Sequence, residues 1–179
     1  MVRIALVVLA VLAVGAFVAS PSLVPPVEVR SSGELTAYPG TGVDAGAAAT
    51  LDVVLDTSGR THVTLAVTGL DPEREYGAHV HVGTCDPASP EAAGPHLQRV
   101  PNPEPEKNPT DPIYANPHNE IWLDVTTDAR GAGEVTSTLE WQLSPQRVPA
   151  SVIIHEHATW PYPRSGWAGA PLACLAVTL

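Results

Sequence analysis

Cysteine occurs only twice in this 179-residue chain, and lysine only once, at Lys107. Two cysteines exclude a Cys-rich metal scaffold but leave room for one disulfide. Basic residues number 9 against 19 acidic ones, a formal net charge of −10. A chain so poor in cations cannot neutralise a run of phosphates, so nucleic acid is excluded as a partner. No Gly-x-Ser-x-Gly elbow, His-Glu-x-x-His pair or phosphate-cradling loop is present, which leaves nucleophilic and acid–base enzyme readings thin. The one Asn-x-Thr, Asn108-Pro109-Thr110, carries the proline that bars glycosylation.

Long apolar runs are confined to the start. Ile4 to Ala19 is almost unbroken and follows the weakly positive Met1–Arg3. It is shorter than the ~20 residues of a membrane span. Residues 1–20 are therefore expected to be a signal peptide or N-terminal membrane anchor, with small-residue cleavage candidates at Ala16 and Ser20. Residues 21–179 form the exported domain, meet the membrane only through that segment, and work where a disulfide persists.

What is abundant is proline, nineteen residues, and histidine, seven. Proline at about twice its usual share argues against a helical bundle. Strand-like runs cover Val27–Tyr38, Leu51–Leu55, His62–Val67, Tyr76–Val82, Ile121–Thr127, Glu134–Leu139, Ser151–His155 and Leu172–Leu179. Asp56–Gly59, Gly69–Pro72 and Asp128–Gly133 read as turns. Short strands at this spacing imply an all-β antiparallel sandwich or barrel. Two segments break the rhythm. Gly83–Asn119 holds nine of the nineteen prolines and no strand, and Glu156–Ala170 is the second irregular stretch. A loop as long as the first is functional or disordered, and Val100–Pro112 is the part where disorder is the plain alternative.

His79 and His81 stand two apart on an expected strand, so both side chains share one face. That fits half of a metal site, and equally two polar residues facing water. His96 follows in Gly94-Pro95-His96, and His155 closes the apolar run Ser151–His155. His155 is either a satisfied core residue or a ligand. His62, between polar neighbours, reads as surface. Four neutral imidazoles suit copper or zinc, with copper the tighter of the two.

In order along the chain stand Gly77-Ala-His79-Val-His81, Cys85, Gly94-Pro95-His96, Val152-Ile-Ile-His155-Glu156 and Gly169-Ala-Pro-Leu-Ala-Cys174. Together, from Val27 to the end, they resemble the copper/zinc superoxide dismutases, and the short step from His81 to Cys85 resembles the bacterial exported branch. The resemblance implies an eight-stranded Greek-key β-barrel or flattened sandwich with long irregular loops. It implies His79, His81, His96 and His155 as copper ligands, a Cys85–Cys174 disulfide, and superoxide as substrate. His96 would be the ligand that bridges to zinc and takes up a proton on reduction. The family forms dimers through several unrelated surfaces, so no particular oligomer is implied.

The chain departs from that family in three places. Of the zinc ligands beyond His96 only His118 has a counterpart; Ile121 stands at the aspartate's position and the middle histidine is missing. This zinc-site remnant argues against a closed tetrahedral zinc site. Glu120 is the candidate to orient His96 in zinc's place, with Asp124 another carboxylate nearby. The aspartate expected four residues after His155 is Thr159. The arginine expected three residues before the last cysteine is Pro171. Arg164, seven residues earlier, is the candidate replacement, against a plain reading as an exposed loop charge. Without a guiding cation an acidic protein repels an anionic substrate, so dismutation below the family's best, with weak or inverted salt dependence, is expected. A non-enzymatic copper buffer, carrier or sensor on the same fold is the rival expectation.

Overall fold

Alternation along the strands decides which side of each is buried. In β3 (Ala48–Leu55) the inward residues are Ala49, Leu51 and Val53; in β4 (Thr61–Thr68) they are Thr61, Val63, Leu65 and Val67. The hairpin between them turns where expected. Asp56 Oδ1 accepts the backbone N–H of Ser58 and of Arg60 at 2.8 and 3.0 Å, and Gly59 takes the positive φ of 89° that the turn requires.

The computed structural model describes residues 27–143 and 148–178; the expected leader or anchor over residues 1–20 lies outside them. The chain is all-β. The remaining strands are β1 (Val27–Glu34), β2 (Thr36–Ala37), β5 (Glu75–Tyr76), β6 (Ala78–His81), β7 (Val125–Thr126), β8 (Gly133–Leu139), β9 (Ser151–His155) and β10 (Pro171–Ala176). One antiparallel sheet has the order β1-β3-β4-β8, a second β2-β10-β9-β6, and β5 pairs with β7. The two larger sheets share one apolar core: Leu51, Val63 and Leu65 of the first pack in the same cluster as Val80, Ile154 and Leu175 of the second. Full burial of such side chains stabilises by ~1.5–3 kcal/mol each. The single helical piece among the described residues is a 3-10 turn, Pro90–Ala93.

Ten strand segments replace the expected eight because two runs are interrupted by one residue each. Leu35 separates β1 from β2, and Gly77 separates β5 from β6. At Gly77 the backbone is crowded: a Cβ there would lie 2.5 Å from both Ala168 Cβ and the His157 carbonyl oxygen. The expected strand Ile121–Thr127 is cut to β7. Its first half runs beside β6 through one bridge, His79 to Trp122, with Leu123 N–H on the Ala78 carbonyl at 2.8 Å. Asp124 then turns its carboxylate onto Thr159, and the ladder ends. The last strand stops at Ala176 rather than at the chain's end. Val100–Pro112 is held by specific bonds: Val100 N–H donates to Asn119 and Asn102 N–H to Gln98.

The second sheet positions the site. Ala78, Val80, Val152 and Ile154 point into the core. The residues between them, His79, His81, Ile153 and His155, therefore take the opposite face. There Ile153, Tyr38, Ala93 and Cys174 form a small second cluster against Cys85. Cys85 and Cys174 are bonded, tying the start of the long loop to β10 across 89 residues.

A four-histidine candidate metal centre

The long loop leaves β6 and returns to it. On the edge of β6 not paired with β9, Leu97 N–H donates to the Val80 carbonyl at 2.8 Å and Val80 N–H to the Ile121 carbonyl at 3.3 Å. The first of these contacts sets His96 opposite His81 in an antiparallel bridge. On the other edge, His155 N–H donates to the Gly77 carbonyl at 2.7 Å. Three chain segments thus deliver His79, His81, His96 and His155 to one place. Each offers one ring nitrogen, and these four atoms all lie within 4.8 Å of one another.

The partners of the rings fix which nitrogen is offered. His81 Nδ1–H donates to the Gly94 carbonyl at 2.9 Å, and His155 Nδ1–H to the Gly169 carbonyl at 3.4 Å. His96 Nδ1–H donates to Glu120 Oε2 at 2.8 Å. His79 differs: its Nε2–H donates to Thr159 Oγ1 at 2.8 Å, and the Thr159 hydroxyl in turn donates to Asp124. A carbonyl or carboxylate only accepts, so each acceptor holds the proton on one nitrogen and leaves a lone pair on the other. The free atoms are His79 Nδ1 and the Nε2 of the other three. His79 Nδ1, His81 Nε2 and His155 Nε2 are buried with no protein partner.

Buried polar atoms without partners are costly, about 1–3 kcal/mol each. Three aimed at one point are what a site for a cation with nitrogen ligands looks like. Burial and the neighbouring imidazoles push His79 and His81 well below the usual histidine range, and His155 to about 4. These three are neutral at pH 7, as metal ligation requires. The donor set therefore fits a copper- or zinc-type ion. The described residues hold no second group of three or more such ligands.

Glu120 is 1% exposed and receives three N–H groups: His96 Nδ1, Trp122 Nε1 at 2.7 Å and Gln98 Nε2 at 2.7 Å. Trp122 and Gln98 are the functional neighbours that sequence reading missed; Gln98 lies 22 residues from Glu120, and no local pattern joins them. The Thr159–Asp124 pair was visible only in halves, as a departure at Thr159 and as a stray carboxylate at Asp124.

His118 is exposed in the loop and lies outside the four-histidine group; its carbonyl accepts Trp141 Nε1–H at 3.1 Å. Arg164 is exposed, with its guanidinium carbon 4.3 Å from the Trp167 ring centre and 5.5 Å from that of Trp160. It does not line the cavity over the histidines, because the two indoles hold its head. Pro171 pairs with His155 at the start of β10. Above the histidines opens a cavity of about 440 Å³, lined by His81, His96 and His155 and walled by both irregular loops.

No family model matches the chain, and no curated protein matches it. Among 138 solved chains that match is a crystal structure of the clock protein EA4, with 17% identity and a TM-score of 0.51. The match covers 84% of this chain and 92% of that one. At that identity the likeness concerns the fold alone.

Proposed function

We propose that this chain is an exported copper protein whose four-histidine site disproportionates superoxide. The observation that carries the reading is the set of four ring nitrogens within 4.8 Å, each left free by an acceptor on its other side. His79 Nδ1 and the Nε2 atoms of His81, His96 and His155 would hold the ion. Bound copper would supply one-electron cycling, oxidising one superoxide to dioxygen and reducing a second, with two protons, to hydrogen peroxide; zinc has no such cycle.

The protein's part is positioning and proton control. Gly94, Gly169, Thr159 and Glu120 set the four rings. His96 lines the cavity, and Glu120 occupies its Nδ1–H, so Nε2 is the atom where His96 exchanges a proton with the product. Export is supported by the Cys85–Cys174 disulfide. Among the described residues no helix is long and apolar enough to cross a membrane.

One observation favours a second reading, a copper carrier or buffer without turnover. Among the described residues, those lining the cavity include Glu106 and Glu120 and no lysine or arginine. An anionic substrate meets no guiding charge there. Copper and zinc counted on the purified protein, followed by superoxide loss with the copper-loaded form, test both. One copper, no zinc and measurable dismutation are expected; two zincs would overturn the copper reading, and one copper without dismutation would leave the carrier.

A further inference from the structure

Trp122 faces the histidines and not the core. Its neighbours Ile121 and Leu123 are buried in the main apolar cluster, so alternation turns the indole to the opposite side. Neither apolar cluster of the described residues includes Trp122, whereas Trp141 belongs to one. The backbone bridge to His79 holds it at the edge of β6, and the two rings meet edge-on with centres 6.0 Å apart. A phenyl ring would fill the same place. What tryptophan adds is the indole N–H, a donor only.

That N–H ends on one particular atom. Trp122 Nε1–H donates to Glu120 Oε2 at 2.7 Å, the same oxygen that accepts His96 Nδ1–H at 2.8 Å. Gln98 Nε2–H donates to the other oxygen, Oε1, at 2.7 Å. Two donors on one oxygen draw on the same electron density, so each weakens the other. Without the indole N–H, Glu120 would keep one donor on each oxygen, His96 on Oε2 and Gln98 on Oε1. Oε2 would then pull harder on His96 Nδ1–H, and the ring would present a more electron-rich lone pair at Nε2.

We infer that Trp122 is a positioning residue that weakens His96 as a ligand by sharing Glu120 Oε2 with it. The inference rests on the copper reading and deepens it. Trp122 holds the site short of its tightest grip on copper(II) and so favours reduction to copper(I).

W122F keeps a ring and removes the N–H. In the metal-free full chain, the His96 Nδ1–H resonance is expected to move downfield by NMR as its hydrogen bond strengthens. Copper(II) affinity, read by chelator competition, is expected to rise about three- to ten-fold, less than the effect of removing a whole partner. The reduction potential of the copper-loaded protein is expected to fall. A merely structural role predicts the opposite, because lost packing loosens the site and weakens copper. An unmoved resonance, or copper(II) affinity that is unchanged or weaker in a folded W122F, overturns the inference. Should W122F fail to fold, metal-free H96A gives the reciprocal measurement: the Trp122 indole N–H, now alone on Oε2, is expected to move downfield, and an unmoved signal overturns the inference. A parent protein that takes up no copper overturns the proposed function and this inference with it. A parent that binds copper while W122F matches it overturns the inference alone.

Discussion

Glu120 Oε2 lies 2.8 Å from His96 Nδ1, on a carboxylate that is 1% exposed and 24 residues away in the chain. A buried carboxylate with three N–H donors does two jobs: it holds the tautomer of His96, and it joins the long loop to the strand edge it returns to. E120A removes both. Copper affinity is expected to fall about 10–100-fold. Stability is expected to fall by about 3 kcal/mol or more, since three donors lose their acceptor. Competition titration with a chelator reads the first, and urea unfolding of the metal-free protein the second. Unchanged affinity would show that His96 needs no orienting partner.

Thr159 is a relay between His79 and Asp124. T159V keeps the shape but cannot accept His79 Nε2–H or donate to Asp124. A loss of about ten-fold in copper affinity is expected, with T159S restoring it. A T159V protein that binds copper as tightly as the parent would remove the relay from the site.

The depressed histidines set a pH dependence. Above about pH 6.5 the buried rings are neutral in both the folded and unfolded states, so they contribute no slope. As pH falls below 6.5 the unfolded chain takes up protons that folded His79, His81 and His155 refuse, the last down to about pH 4. Stability of the metal-free protein is therefore full above the unfolded value and is lost progressively from pH 6.5 toward 4. Urea midpoints at pH 7.5, 6 and 5 should decrease in that order; a flat series would contradict the burial of these rings as neutral groups.

The disulfide closes a loop of 89 residues. Replacing Cys85 and Cys174 by serine is expected to cost about 4 kcal/mol on the chain-entropy account. Urea unfolding checks it, and a loss under about 1 kcal/mol would mean that the sheet already restrains the loop.

Steering is expected to be absent. Dismutation by the copper-loaded protein should be slow for its chemistry, and between 20 and 200 mM salt it should stay level or rise. R164A should change the rate less than about two-fold, because the guanidinium sits on Trp160 and Trp167 and not on the cavity wall. A rate that drops steeply with salt, or collapses in R164A, would return Arg164 to the site.

Period-two alternation made the common face of His79 and His81 readable before any coordinates, and the Asp56–Gly59 turn follows from local chemistry. Alternation could not show that both loop segments, at Leu97 and at Ile121–Leu123, hydrogen-bond to the same edge of β6. Those are contacts between distant parts of the chain, with no local period. The same holds for the Thr159–Asp124 pair, 35 residues apart, and for Trp122 and Gln98 on Glu120. Gly77 looked like an ordinary strand residue; its crowding against Ala168 and His157 exists only once the second loop is folded over it.

The return of the long loop to β6 also governs how copies of this chain can meet. At one margin of the histidine-bearing sheet is β2, two residues long; at the other, the loop already occupies the outward N–H and C=O groups of β6. Strand-by-strand growth of that sheet is blocked at both margins. The opposite sheet ends in β1, eight residues, and β8, seven. Among the described residues, those are the long margins at which β-pairing between molecules has room to start, and it would leave the cavity beside the buried histidines uncovered.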